Sequence, residues 1–149
     1  MRFLLYDQII HLEKGSSIIG TKCFNLSDEY LRGHFKKKAV VSGVFYIESM
    51  AQLLGWLIIY SHGFTLSPFM SLVEHVDLSP RQRPAFKADI HAQLLSTSTT
   101  DSLGKAQMYI DGRLIASIGR IIYSHSNKVN ALQLKQLFAY YSGWSTIPE

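Results

Sequence analysis

Cysteine is almost missing from this sequence. Cys23 stands alone among 149 residues, so no intrachain disulfide can form, and no cysteine–histidine spacing suggests a zinc site. A disulfide-free chain points by default to the cytoplasm. Charge is also sparse: Asp, Glu, Lys and Arg make up 17% of the residues, low enough to hint that a partner covers part of the surface. Acidic residues are the scarcer sign, eleven against fifteen basic ones, for a net charge of +4. That excess is mild. A nucleic-acid binder sets Lys and Arg among aromatics along one face; here the dense basic run is Arg32 to Lys38, without a recognition motif. The run reads either as an ordinary solvated surface or as a docking surface for an acidic partner.

The N-terminus, MRFLLYDQII, lacks the pattern of a secretion signal, having one basic residue and a short apolar run broken by Asp7. Charge is scarcest from Ala39 to Val73, but Glu48, Gly55, His62, Gly63 and Pro68 interrupt that stretch. It suits a buried helix and its exit loop better than a membrane span. There is no internal repeat and no low-complexity segment, and the length fits one domain.

What is present is a series of β-prone segments around one apolar helix. Phe3 to Glu13 reads as a strand, turning at Lys14-Gly15 into a second strand, Ser16 to Asn25. Ser27 to Gly33 is short and polar, with Ser27 a candidate helix cap. After Ser42-Gly43 comes VFYIESMAQLLGWLIIY, free of proline and apolar on nearly every face, the mark of a helix buried all round. Strands are expected at Phe69 to Leu78 and at Phe86 to Ser96, where Phe86, Ala88, Ile90, Ala92 and Leu94 alternate. Leu103 to Ile110 should turn at Asp111-Gly112 into Leu114 to Tyr123. Val129 to Tyr141 reads as one amphipathic helix. This order predicts an α+β fold, an antiparallel sheet around one long helix.

Glu48 is the only formally charged residue between Lys38 and Glu74. Packing does not call for it, because an unpaired carboxylate in an apolar setting is costly to bury. Either it points to solvent or to a distant Arg, or it lines a cavity whose apolar walls favour a carboxylic acid able to donate a proton. Gln52 lies four residues on, along the same helical face, and reads either as a hydrogen-bond partner for Glu48 or as an ordinary polar surface residue. Gly43 begins the helix, where unpaired N–H groups and a partial positive charge can stabilise a developing oxyanion; it reads equally as a loop-closing glycine. His34 has the chemistry of a general base, but with six histidines in the chain, spacing alone does not select it.

The segment GHFKKKAVVSGVFYIESMAQ, Gly33 to Gln52, resembles the signature of bacterial 3-hydroxyacyl-(acyl-carrier-protein) dehydratases of fatty-acid synthesis. That signature has a His-Phe pair, a Pro-Gly-x-Pro turn, a Pro-Gly-Val helix start and Glu-x-Met-Ala-Gln. His34-Phe35, Gly43-Val44, Glu48 and Met50-Ala51-Gln52 stand at matching positions. FLLYDQIIHLEKG and RQRPAFKADI look like the family's first strand and later strand–turn–strand. The sequence departs from the pattern at Lys36-Lys37-Lys38-Ala39, in place of the first proline turn, and at Ser42, in place of the proline before Gly43. Those prolines would hold the loop by fixing φ; Ser42 can instead cap the helix. The family's His-Arg-Tyr-Pro lead-in is missing, and the tail after His125 is extra.

The resemblance implies a hot-dog fold over residues 1–124, with 125–149 a helical extension packed on the same domain. It implies dehydration of (3R)-hydroxyacyl thioesters without isomerisation, since the position holds glutamate rather than aspartate. His34 and Glu48 would be the catalytic pair, Gly43 and Val44 the thioester-binding backbone, and Gln52 and Phe35 supporting residues. His34 and Glu48 would meet across a homodimer interface, with a trimer of dimers as the further assembly the family allows. No metal or organic cofactor is implied: an acidic acyl carrier protein delivers the substrate on phosphopantetheine. Arg32, Lys36, Lys37, Lys38, Arg81, Arg83 and Lys87 are the docking candidates. Nucleic acid and membrane are not expected partners. Trp56, Phe64 and Phe69 are candidates to close an acyl tunnel, and the segment Leu132 to Tyr141 could cap the fold, cover that tunnel or extend the interface. Two other functions share this fold: acyl-thioester hydrolysis, against which His34-Phe35 argues, and a non-catalytic carrier-binding homologue, against which the retained His34 and Glu48 argue.

Overall fold

In the computed structural model, which describes residues 4–144 and 146–147, six strands form one antiparallel sheet curled around a single long helix. Along the chain come β1 (Gln8–Glu13), β2 (Ser17–Phe24), a 3-10 turn (Glu29–Leu31), α1 (Gly43–Ser61), β3 (Ser67–Leu78), β4 (Phe86–Thr97), β5 (Asp101–Ile110), β6 (Arg113–Ser126) and α2 (Ala131–Ser142). The spatial order of the strands is β1-β2-β4-β5-β6-β3. The chain leaves α1 for the far edge of the sheet and returns to its middle, so β3 and β1 become the two edges. This is the hot-dog arrangement.

The sheet can wrap the helix because its inner face interleaves small residues with larger apolar ones. The alternation in β4 turns Ala88, Ile90, Ala92 and Leu94 inward. In β5 the inward residues are Ser102, Gly104, Ala106 and Met108. Against them α1 sets Met50, Leu53, Leu54, Leu57 and Ile58, all fully buried, each contributing roughly 1.5–3 kcal/mol. Although α1 is long and apolar enough to cross a membrane by length and composition, more than half of it is buried in this core. The approach is close at Gly104, where a Cβ would lie 2.5 Å from Leu54 Cδ2 and 2.7 Å from the carbonyl oxygen of Gln93. The backbone atom cannot step aside. Gly104→Ala is therefore expected to destabilise the fold by about 1–3 kcal/mol through overpacking, measured by urea unfolding.

The β5–β6 hairpin turns at Asp111 (φ 48°) and Gly112 (φ 77°), the paired positive φ values of a type I′ turn. The first strand is shorter than expected. It begins at Gln8 rather than Phe3, and Phe3 itself lies outside the described residues. The cause is local: the N–H of Leu5 donates to Gln52 Oε1 at 2.9 Å instead of to a neighbouring strand. Ser27 is not a cap either. Asp28 starts the 3-10 turn, and its carboxylate accepts from Asn25 N and Tyr30 Oη. Ser42 occupies the N-cap position of α1, but its hydroxyl makes no capping hydrogen bond.

Helix α2 starts at Asn130, whose side chain accepts from Gln133 N, and ends at the left-handed Gly143. Phe138 is fully buried among Trp56, Tyr60 and Phe64. Beyond α2, Trp144 Nε1 donates to the carbonyl of Ile9 on β1 at 2.8 Å.

At the exit of α1 a polar chain joins His62 Nε2, Thr97 Oγ1, Ser102 Oγ and His125 Nε2 at 2.6, 2.6 and 2.8 Å. Burial, and then the charge of nearby His125, lower the pKa of His62. The fold thus favours the neutral imidazole. Its contribution is complete above the ordinary histidine pKa of ~6.5 and declines as the pH falls below it. Denaturation between neutral pH and pH ~5 should show decreasing stability, with a shallower decrease in His62→Gln.

Candidate active site

The polar end of α1 is organised around Glu48. Its position in the helix puts it on the same face as Gln52, whose Nε2 donates to Glu48 Oε1 at 3.0 Å. The other end of the Gln52 amide is held by Leu5 N, so the carboxyl group is oriented by a side chain that is itself fixed. Glu48 is half-buried and faces a cavity of about 420 Å³. Ala51, Gly55, Trp56 and Ile59 continue that cavity along the helix, and Ser67, Pro68 and Met70 form its β3 wall. Gly55 has no side chain to fill the space, and its missing Cβ would meet nothing closer than Pro68 at 3.8 Å.

Tyr123 enters the same cavity from β6. Its hydroxyl donates to the carbonyl of Ala51 at 2.6 Å. Burial raises its pKa well above the ordinary phenol value, and the Glu48 charge acts in the same direction. Tyr123 is therefore a fixed neutral hydroxyl rather than a base. The inward parity of Ile121 and Tyr123 in β6 is the signal that could have singled it out. Tyr141, from α2, also lines the cavity; covering the tunnel is one of the three roles the sequence leaves open for the amphipathic segment that ends there.

Of the expected tunnel-closing aromatics, only Trp56 lines this cavity. Phe64 is buried against Tyr60 and Phe138, and Phe69 points outward, 60% exposed; from β3 it is Ser67, Pro68 and the partly exposed Met70 that line the cavity.

His34 is not among the residues lining the Glu48 cavity. It is exposed, and its ring stacks on Phe35 at 5.9 Å. The turn that follows lacks the family's prolines but is closed by reciprocal backbone bonds, Phe35 N to Lys38 O and Lys38 N to Phe35 O. Phe35 is turned outward, with the Arg81 guanidinium 5.8 Å from its ring centre. Val41 N donates to Gln82 O, joining the two loops. Arg32, Lys36, Lys37, Lys38, Arg81, Arg83 and Lys87 are all exposed. Val44 is exposed as well, at 67%. The missing Cβ of Gly43 would collide with Leu78 Cδ1 on β3, so packing alone already favours glycine there. Its N–H still belongs to the first turn of α1, which has no intrahelical acceptor.

A long helix carrying one oriented carboxyl, preceded by His-Phe and wrapped by this sheet, is a specific combination, and comparison with known proteins places it. The model of the FabA-like domain matches residues 1–118. The chain belongs to the FabA-like family. Curated relatives are named 3-hydroxyacyl-(acyl-carrier-protein) dehydratase FabZ. The protein from a Nitratiruptor species is 30% identical over 122 residues, covering 76% of this chain and 82% of its own. The one from Caldicellulosiruptor saccharolyticus is 28% identical, covering 82% and 87%. Among solved structures, the dehydratase heterocomplex ApeI:P from Xenorhabdus doucetiae aligns with a TM-score of 0.67 at 18% identity, covering 89% of each chain. The smu.793 protein of Streptococcus mutans, bound to acetyl CoA, aligns at 0.67 with 13% identity, covering 87% and 96%. A hypothetical thioesterase of Streptococcus pneumoniae, with coenzyme A, aligns at 0.64 with 10% identity, covering 83% and 88%. These likenesses establish the shared fold across proteins of different activity.

Proposed function

We propose that this FabA-like chain dehydrates (3R)-hydroxyacyl-(acyl-carrier-protein) to the trans-2-enoyl thioester in fatty-acid or a related acyl-chain synthesis. The observation that carries the reading is the single carboxyl group of α1, fixed by Gln52 at the wall of an apolar cavity. In the reaction the thioester carbonyl accepts hydrogen bonds from the N–H groups at Gly43 and Val44. His34 takes a proton from C2, and the electron pair moves to form the C2–C3 double bond. Glu48 protonates the 3-hydroxyl, and the C3–O bond breaks to release water. His34 and Glu48 then exchange a proton through solvent to begin again. The thioester itself acidifies C2, so the scheme calls on no metal or organic cofactor, and phosphopantetheine arrives with the substrate.

His34 is exposed and is not among the residues that line the Glu48 cavity, which supports a site completed by a second copy. Among the described residues β3 is an edge strand paired only with β6, and it exposes Phe69, Met70, Leu72, Val76 and Leu78. A long apolar edge of this kind calls for a covering strand. The Glu48 cavity is walled by residues of that edge, so a copy paired along β3 would lie beside the cavity, where a shared site needs its His34. A dimer is the minimum assembly this requires, and a trimer of dimers is compatible with it. The working compartment is the cytoplasm.

The alternative is thioester hydrolysis, which shares the fold. Incubation with a 3-hydroxyacyl thioester decides between them: a product lighter by one water supports dehydration, and free thiol with the hydroxyl retained refutes it. The basic loops around Phe35 and Arg81 are the docking surface for an acidic carrier. Replacing Lys36, Lys37 and Lys38 together by Glu should raise KM for the carrier-bound substrate by ~10-fold or more at low salt and change kcat little. With a free pantetheine thioester the same variant should match the parent enzyme.

A further inference from the structure

One wall of the Glu48 cavity is built by a part of the chain outside the family match. That match ends at residue 118, and α2 begins at Ala131, yet Tyr141 in its last turn lines the cavity. Resting on the dehydratase reading, we propose that Tyr141 is a specificity-determining residue, the stop against which the end of the acyl chain abuts.

Its position follows from its neighbours. One turn earlier, Phe138 contacts Trp56 at 5.4 Å and Tyr60 at 6.2 Å between ring centres. α2 therefore lies over the second half of α1, away from Glu48. At 1.5 Å per residue, Trp56 is ~12 Å and Ile59 ~16 Å along the helix from Glu48. An extended chain advances about 1.2 Å per bond, so the cavity accepts roughly ten to thirteen bonds beyond the reacting carbon. Counted from the carbon that bears the hydroxyl, chains beyond about thirteen to sixteen carbons meet the wall.

The wall is held on both sides. Phe138 is fully buried before it. After it, Ser142 is buried, the left-handed Gly143 ends the helix, and Trp144 is tied to Ser142 Oγ at 3.2 Å and to the Ile9 carbonyl at 2.8 Å. A side chain anchored in this way does not swing aside at little cost, as a free tail would.

The test is a ladder of 3-hydroxyacyl thioesters from short to long, turned over by the parent enzyme, Tyr141→Ala, Tyr141→Leu and Tyr141→Phe. Tyr140→Ala serves as a control, because Tyr140 is 80% exposed. Tyr141→Ala should move the length optimum upward, with kcat/KM for long chains rising about four-fold for each methylene newly admitted. Tyr141→Leu should shift it less, while Tyr141→Phe and Tyr140→Ala should keep the parent profile. If Tyr141→Ala and Tyr141→Leu fold and give the parent profile, the proposal is wrong. Displacement of a fluorescent fatty acid by saturated acyl thioesters of increasing length reads the same limit without turnover. No dehydration at any length would then count against the dehydratase reading alone, while a length limit unchanged in the variants would count against the wall.

Discussion

Glu48→Gln is expected to lower the rate of dehydration by about 10²–10⁴-fold with the fold intact. The amide is nearly the same shape as the carboxyl, and its oxygen can still accept from Gln52 Nε2, the bond seen at 3.0 Å. What is lost is the proton delivered to the departing hydroxyl. Since the cavity and the hydrogen bond from Leu5 to Gln52 do not depend on that proton, substrate binding should be largely kept. The loss should therefore appear in kcat more than in KM. Turnover with the 3-hydroxyacyl thioester, alongside circular dichroism and thermal unfolding, checks both halves. A folded Glu48→Gln protein with the parent rate would remove Glu48 from the chemistry.

His34→Ala should be equally impaired, and mixing it with Glu48→Gln chains should restore activity. If each site takes His34 from one copy and Glu48 from the other, random exchange yields half heterodimers, each with one intact site, and about a quarter of the parent activity. The edge exposed along β3 and the exposure of His34 within a single chain both lead to this expectation. Subunit exchange must be verified independently, for example by mass spectrometry of differently tagged copies. Verified exchange without recovered turnover would refute a site shared across β3.

Much of the site was readable before any tertiary contact was known, because its central pair is local. Glu48 and Gln52 are one helical turn apart, and helical periodicity alone brings them together. The apolar run after Gly43 likewise fixes α1, and the Asp111-Gly112 pair fixes its hairpin. Errors arose where a side chain competes with the ladder or with a cap. Leu5 gives its N–H to Gln52 rather than to a strand, which delays β1 to Gln8. Asp28 displaces Ser27 as the residue that starts the 3-10 turn. The first outcome depends on a partner 47 residues away that only the folded chain brings near, whereas the second rests on close neighbours in sequence, Asn25 and Tyr30, that bind the Asp28 carboxylate.

The sequence by itself determined the helix, the hairpin and the lone carboxyl, and it left two readings for Gln52, of which the bonds to Glu48 and Leu5 select one. Only the tertiary structure decided the cavity around them. Its walls come from Leu4, from β3, from Tyr123 and from Tyr141, segments that no periodicity relates. They meet because a sheet with β3 at one edge must curl round α1 to bury it, and because Phe138 anchors α2 across the same helix. Periodicity acts over one or two turns, while a cavity is what distant segments leave unfilled once they have packed.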